Sequence, residues 1–242
     1  MLPEIYHAHH TMHLEDLPFW LELADMAGDP ILELGCGTGR VLLSMAKVGH
    51  HCVGLDNDPA MLAYLQQGVG SITPTPLLVV EDMCRFNLHR QFSLVILPCN
   101  TFSTLSEAQQ LSCLACVYEH LKPGGFFAFS IPNSQVLLSL PARAGVEYEE
   151  AFTHPQTGNP VQVSSSYHRT KKLFRLTWYY DELHPDGRVD RFTALAAHYL
   201  LPTQAYLDKL RQVGLVVNAQ YGDFDRSEFV DESPCLICIA SR

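Results

Sequence analysis

The stretch Ile31-Leu32-Glu33-Leu34-Gly35-Cys36-Gly37-Thr38-Gly39-Arg40 constrains this chain more than any other. Its first four residues read as a buried strand. A turn with glycine at every second position follows, and then a helix start. A turn stripped of side chains lets a ligand approach the backbone closely. The helix that follows aims its free N–H groups at the same place. Strand, bare turn and helix N-terminus in that order describe a pocket for something small and nucleotide-like.

The strand–helix rhythm continues along the chain. Residues 51–55, 77–80, 94–97 and 126–131 read as apolar strands. Helices are expected over 15–27, 38–48, from Pro59 to about residue 67, and over 107–121, the last stopped by Pro123-Gly124-Gly125. Continuously apolar strands that alternate with helices mark a parallel sheet covered on two faces. The period changes after Asn133. Val161, Val163, Ser165 and Tyr167 alternate with polar neighbours, as do Phe174, Leu176, Trp178 and Tyr180, and a third such run covers 189–200. Turn-forming segments at 155–160 and 184–187 separate the runs. An antiparallel β subdomain over 134–200 is therefore expected, inserted into an α/β domain made of 1–133 and 201–242. That domain resumes with a helix over 203–213 and strands over 216–220 and 235–240.

Composition narrows the functional classes. The chain has 242 residues, 47% of them hydrophobic, which suits one domain with an insertion. Its formal charge of −10, with no basic stretch, argues against nucleic-acid binding, which rests on phosphate neutralisation. No apolar run approaches the roughly 20 residues of a membrane span, and no basic-then-apolar leader opens the chain. The eight cysteines lie mostly in apolar segments and read as small hydrophobes in a reducing, cytoplasmic setting. Cys113/Cys116 and Cys235/Cys238 have C-x-x-C spacing but lack a knuckle loop, and the second pair falls on a strand that would point its two thiols to opposite faces.

The second strand ends in Asp56, whose carboxylate can accept hydrogen bonds from both hydroxyls of a ribose. Dinucleotide enzymes use the same device, so Asp56 alone does not choose the nucleotide. The turn does. A dinucleotide fingerprint needs glycine where Arg40 stands, and Glu33 beside the turn repels pyrophosphate but suits an ammonium group.

Four segments in order, Glu33–Gly39, Val53–Asp58, Val80-Glu81-Asp82-Met83 and Leu121-Lys122-Pro123-Gly124-Gly125, resemble the motifs of class I S-adenosylmethionine-dependent methyltransferases. The resemblance implies a Rossmann-like, seven-stranded, mostly parallel α/β sheet with the last strand antiparallel, and S-adenosyl-L-methionine as cofactor. It places Gly35, Gly37 and Gly39, with Glu33, at the methionine part, Asp56 and Asn57 at the ribose, and Asp82 and Met83 at the adenine, with Cys99 also touching the cofactor. The β insertion, the phrase Pro98-Cys99-Asn100-Thr101-Phe102 and the tail Tyr221-Gly222-Asp223-Phe224-Asp225 are similar to bacterial small-molecule methyltransferases of this class. The Asn/Asp-Pro-Pro-Tyr/Phe motif of DNA and glutamine methylases is absent, as are the metal-binding aspartates of catechol-type enzymes.

Methyl transfer from a sulfonium is an in-line displacement, so the enzyme mainly aligns the nucleophile. An amine or hydroxyl acceptor must also lose a proton. His198, Asn100 and Tyr6 are the expected catalytic residues, chosen from a set that includes His9, His10, His13, Tyr221 and Asp223. The histidine run at 7–13 has no acidic or thiol partner at a recognisable spacing, so no metal site is expected. It is expected to fold over the cofactor from the side opposite the insertion, leaving the insertion, through Tyr180 and His198, to select the acceptor. The expected function is methyl transfer to N or O of a small molecule, with no nucleic-acid or membrane partner. The alternatives are a non-catalytic cofactor-binding module and a methyltransferase acting on a peptide or protein.

Overall fold

A computed structural model describes residues 2–242. Two helices, α1 (Leu2–His10) and α2 (Leu17–Ala27), precede β1 (Ile31–Leu34). There follow α3 (Arg40–Lys47), β2 (Cys52–Asp56), α4 (Pro59–Val69), β3 (Leu77–Val80), β4 (Phe92–Leu97), a 3-10 turn (Thr101–Thr104), α5 (Glu107–His120) and β5 (Leu121–Pro132). Local chemistry sets several of these starts. Asp58 caps α4 by accepting from the Ala60 N–H, with Pro59 in the first turn, and Ser106 and Gln109 form a capping box on α5. After a short α6 (Ser134–Ser139) come β6 (Arg143–Thr153), β7 (Pro160–Arg169), β8 (Leu173–Leu183) and β9 (Val189–Tyr199). The chain closes with α7 (Thr203–Gln212), β10 (Val216–Tyr221) and β11 (Cys235–Ser241).

Seven strands form one sheet in the order β10-β11-β5-β4-β1-β2-β3. Strands β3, β2, β1, β4 and β5 are parallel, while β11 runs antiparallel to both β5 and β10. Alternate residues feed two cores. Leu32, Leu34, Val95 and Leu97 pack toward α5 and α7, whereas Ile31, Leu94 and Ile96 pack toward Trp20 and Met45. Cys238 belongs to the first core and Cys235 borders the second, so this C-x-x-C pair is split by the sheet. The chain leaves β1 in one direction for β2 and β3 and returns on its other side at β4. Ligands bind such sheets beyond the carboxyl ends of the strands at this switch point. Among the described residues no helix is long and apolar enough to cross a membrane.

The insertion is a separate four-stranded antiparallel sheet in the order β6-β7-β8-β9. Three of its strands follow the alternating runs of the sequence. The fourth, β6, was hidden because it carries Glu147, Glu149 and Glu150 and two shifts of register, which break the alternation. Helix α1 corrects a second expectation. The N-terminal segment does not come from the side opposite the insertion. It packs on it: Ile5 is fully buried against Val161, Val163 and Tyr180.

Candidate active site

The glycine turn leaves β1 with φ of 65° at Gly35, 51° at Gly37 and 84° at Gly39, a left-handed conformation that L side chains rarely adopt. The three positions differ in their surroundings. A Cβ at Gly39 would strike Leu65, and one at Gly35 would sit 2.9 Å from Thr101 and 3.3 Å from Met83. A Cβ at Gly37 would meet nothing within 4 Å. Gly37 therefore borders the open part of the cradle. Its N–H donates to Asp56 Oδ2 at 2.7 Å, and the Asp58 N–H donates to Oδ1 at 2.9 Å, which fixes the Asp56 carboxylate at the end of β2. Asn57 beside it is exposed. Asp82 lies past the end of β3, where it accepts from the Cys84 N–H at 2.9 Å and pairs with Arg85.

Glu33, on β1, is buried, and its Oε2 has no hydrogen-bond partner among the described residues. Burial pushes its carboxyl well above the ordinary range, against the pull of the nearby Arg40 charge. An orphaned buried carboxylate oxygen is rare and calls for a missing partner.

At the end of β4, Cys99 and Asn100 both adopt left-handed backbone, with φ of 58° and 62°. Two such non-glycine residues in succession store strain of a kind that gathers at functional sites. The Arg40 guanidinium locks this corner: it pairs with Asp16, donates to the His13 carbonyl at 3.1 Å and reaches Cys99 Sγ at 3.0 Å. Asp16 also accepts from the Trp20 indole at 3.0 Å, so Arg40 is anchored through α2.

Helix α1 lies over the turn. His7 Nδ1 is 3.0 Å from the Thr38 hydroxyl. Tyr6 stacks on His10 with ring centres 3.8 Å apart. Burial, with the Cys99 side chain adding to it, pushes the Tyr6 phenol up to about 12. His10 Nδ1 lies 3.0 Å from the Tyr6 carbonyl. A carbonyl only accepts, so the proton sits on Nδ1 and Nε2 keeps its lone pair. Burial lowers the His10 pKa to about 4, so the ring is neutral at physiological pH.

Two cavities meet at this corner, and His13 and Arg40 border both. One, of about 590 Å³, lies between α1 and the insertion and is lined by His9, His10, Glu149, Glu150, Leu176 and Trp178. The other, of about 380 Å³, lies beside the ends of β4 and β5 and is lined by Asp16, Cys99, Asn100, Ser130, Asp223 and Phe224. The structure thus gathers Tyr6, Asp56, Cys99, Asn100, Met83 and the glycine turn at one end of the sheet.

His198 sits elsewhere. It is buried on β9 with Nδ1 2.8 Å from Ser103 Oγ, and it lines neither cavity. Ser103 gives its own proton to the Asn100 carbonyl at 2.7 Å, so it accepts from His198. The pair ties β9 to the strained corner after β4. Tyr180 is fully buried with its hydroxyl 3.0 Å from His9 Nδ1. Sequence reasoning gave no role to Glu149, Glu150 or Thr38. Glu150 could not be paired with the histidines because 137 residues separate it from His13.

Residues 31–125 match the family model described as a methyltransferase domain. The putative methyltransferase YqeM of Bacillus subtilis (strain 168) is 24% identical over 227 residues, covering 92% of this chain and 88% of that protein. The fold is that of a solved S-adenosylmethionine-dependent methyltransferase from Clostridium acetobutylicum ATCC 824, with a TM-score of 0.81 at 16% identity over 94% of this chain and 90% of that one. It is also that of CalS10, an amino pentose methyltransferase from Micromonospora echinaspora solved with S-adenosylmethionine bound, with a TM-score of 0.75 at 20% identity over 98% and 96% of the two chains.

Proposed function

We propose that this chain, an S-adenosylmethionine-dependent methyltransferase, transfers the methyl group to the nitrogen of a small amine of the amino-sugar type. The observation that carries this reading is the cavity between α1 and the insertion. It presents two carboxylates (Glu149, Glu150), an indole (Trp178) and a neutral imidazole (His10). Carboxylates and an indole face attract a cationic amine. A volume of about 590 Å³ is that of a small-molecule site. The likeness to an amino pentose methyltransferase supports the same acceptor class.

The residues present suit the cofactor. Gly37 borders open space that suits the methionine part, the two Asp56 oxygens each keep a lone pair beyond the backbone N–H they accept and suit the hydroxyls of a ribose, and the unpaired Glu33 oxygen matches an ammonium. When bound, the cofactor supplies an electrophilic methyl group on a sulfonium. The chain's own work is orientation. Arg40, anchored on Asp16, fixes the Cys99–Asn100 corner. His10 Nε2 accepts from an acceptor N–H and turns the nitrogen lone pair in line, which is how alignment lowers such a barrier. With a pKa near 4 it is too weak a base to strip an ammonium, so the acceptor enters the reactive pose as a neutral amine. Ser103 and His198 hold the floor beneath Asn100 rather than touching the acceptor, and Tyr6 covers the cofactor. The eight free cysteines suit a reducing, cytoplasmic setting.

The test is S-adenosylhomocysteine release with a panel of amino sugars and their hydroxyl counterparts. Turnover with amines that disappears on replacing the amine by hydroxyl supports the reading. Turnover confined to hydroxyl or peptide acceptors contradicts it.

A further inference from the structure

We propose that His9, His13 and Glu150 form a site for a borderline divalent cation of the zinc class, with an open coordination position facing the cavity between α1 and the insertion. His9 Nε2 and His13 Nε2 converge on the same carboxylate oxygen, Glu150 Oε1, at 3.0 and 2.8 Å. Each of the three residues offers a ligand atom, and these atoms lie within 4.8 Å of one another. Two imidazoles and one carboxylate are a donor set of catalytic zinc centres, which keep a fourth position for water or substrate. Tetrahedral bonds of about 2.0–2.2 Å to one ion put neighbouring ligand atoms roughly 3.3–3.6 Å apart, so each imidazole would move back from Glu150 by only about half an ångström to admit it.

Two further features favour a ligand site over an accidental cluster. The first is backbone aim. The register of β6 shifts between Tyr148 and Glu150, and the shift brings Glu150 opposite Val163, on the face that meets α1. Such irregularities re-aim side chains beside active sites. The second is outer support. His9 Nδ1 lies 3.0 Å from the hydroxyl of the fully buried Tyr180, and its ring stacks parallel to Phe152. A partner on the far ring nitrogen fixes the tautomer and orientation of a metal-bound histidine. All three residues line the same cavity, so the fourth position faces it. An ion there would also clamp α1, which covers the glycine turn through His7, to the insertion. With the ion bound, Glu150 would be committed to it and Glu149 and Trp178 would remain for the amine, and the test below reads the ion alone, whatever the acceptor.

The probe is Zn²⁺ titrated calorimetrically into chelator-treated full-length protein, with Co²⁺ as a spectroscopic substitute. The expected result is one ion per chain, at least tenfold weaker in His13→Ala and in Glu150→Gln, and a Co²⁺ spectrum without a thiolate charge-transfer band. His13 is exposed, so His13→Ala is expected to fold normally, and Glu150→Gln keeps the side-chain shape; circular dichroism checks both. Absence of stoichiometric binding, binding unchanged in both variants, or a thiolate band would overturn the proposal and leave the cluster as a hydrogen-bonded latch.

Discussion

Gly37 and Asp56 show how single residues divide the work of the glycine turn. Gly37 alone of the three turn glycines borders open space, so the Cβ of Gly37→Val meets no described protein atom; strained at a φ of 51°, the variant should remove S-adenosylhomocysteine binding in a calorimetric titration, with circular dichroism checking the fold. Asp56→Ala should weaken binding by about 1–3 kcal/mol, because it removes an acceptor for the ribose hydroxyls. Glu33 gives a sharper test. Burial raises its pKa in the free protein, and a cofactor ammonium beside it would lower that pKa again. Cofactor binding should therefore release a proton, and affinity should rise as pH rises toward the free-protein pKa. Calorimetry in buffers of different ionisation enthalpy reads that proton, and a deaminated analogue should release none. His10→Ala should reduce kcat by up to roughly 10²-fold, the scale of a misaligned acceptor, and His10 itself should add no acid limb to the wild-type profile until pH falls to about 4, where Nε2 becomes protonated. The glycines and Asp56 were legible in the sequence because strand, turn and strand end are local features. The state of His10 was not, because its tautomer depends on the bond to the Tyr6 carbonyl and its pKa on burial by distant residues.

Helix α1 is the element on which the two halves of the site depend. Its Ile5 enters the insertion core, its His7 meets Thr38 of the turn, and its Tyr6 stacks on His10, which lines the cavity under the insertion. Ile5→Ala should cost about 2–5 kcal/mol of local packing. It should therefore raise amide exchange in α1, weaken S-adenosylhomocysteine binding and leave exchange in β1, β2 and β4 unchanged. Equal loosening of the central strands would show that α1 is part of the core and not a cover. The sequence marked residues 7–13 as chemically unusual but gave no helical period, since polar and apolar residues are mixed over so short a stretch. Strand β6 escaped for a related reason. It is an edge strand with a glutamate-rich, mostly exposed face, so no alternation betrays it. The central strands β1, β2 and β4 were readable because burial on both faces leaves little choice of residue type.

The whole molecule is a seven-stranded sheet with an antiparallel sheet standing over its carboxyl end and a helix wedged between them. The parallel sheet followed from the alternation of strands and helices, and its seven strands with an antiparallel last one from the resemblance that the motifs carry. The meeting of α1, β6 and β8 did not, because it joins residues more than a hundred positions apart, such as His9 and Glu150, and no local pattern encodes that closure. On the proposed reading the cofactor lies below α1 and the acceptor above the β4 corner, inside the cavity shared by α1 and the insertion. A crystal structure with S-adenosylhomocysteine tests this most directly. The ribose should sit on Asp56 and the sulfur should face the cavity lined by His10 and Trp178. A sulfur directed away from that cavity, or a ribose held by another residue, would contradict the account.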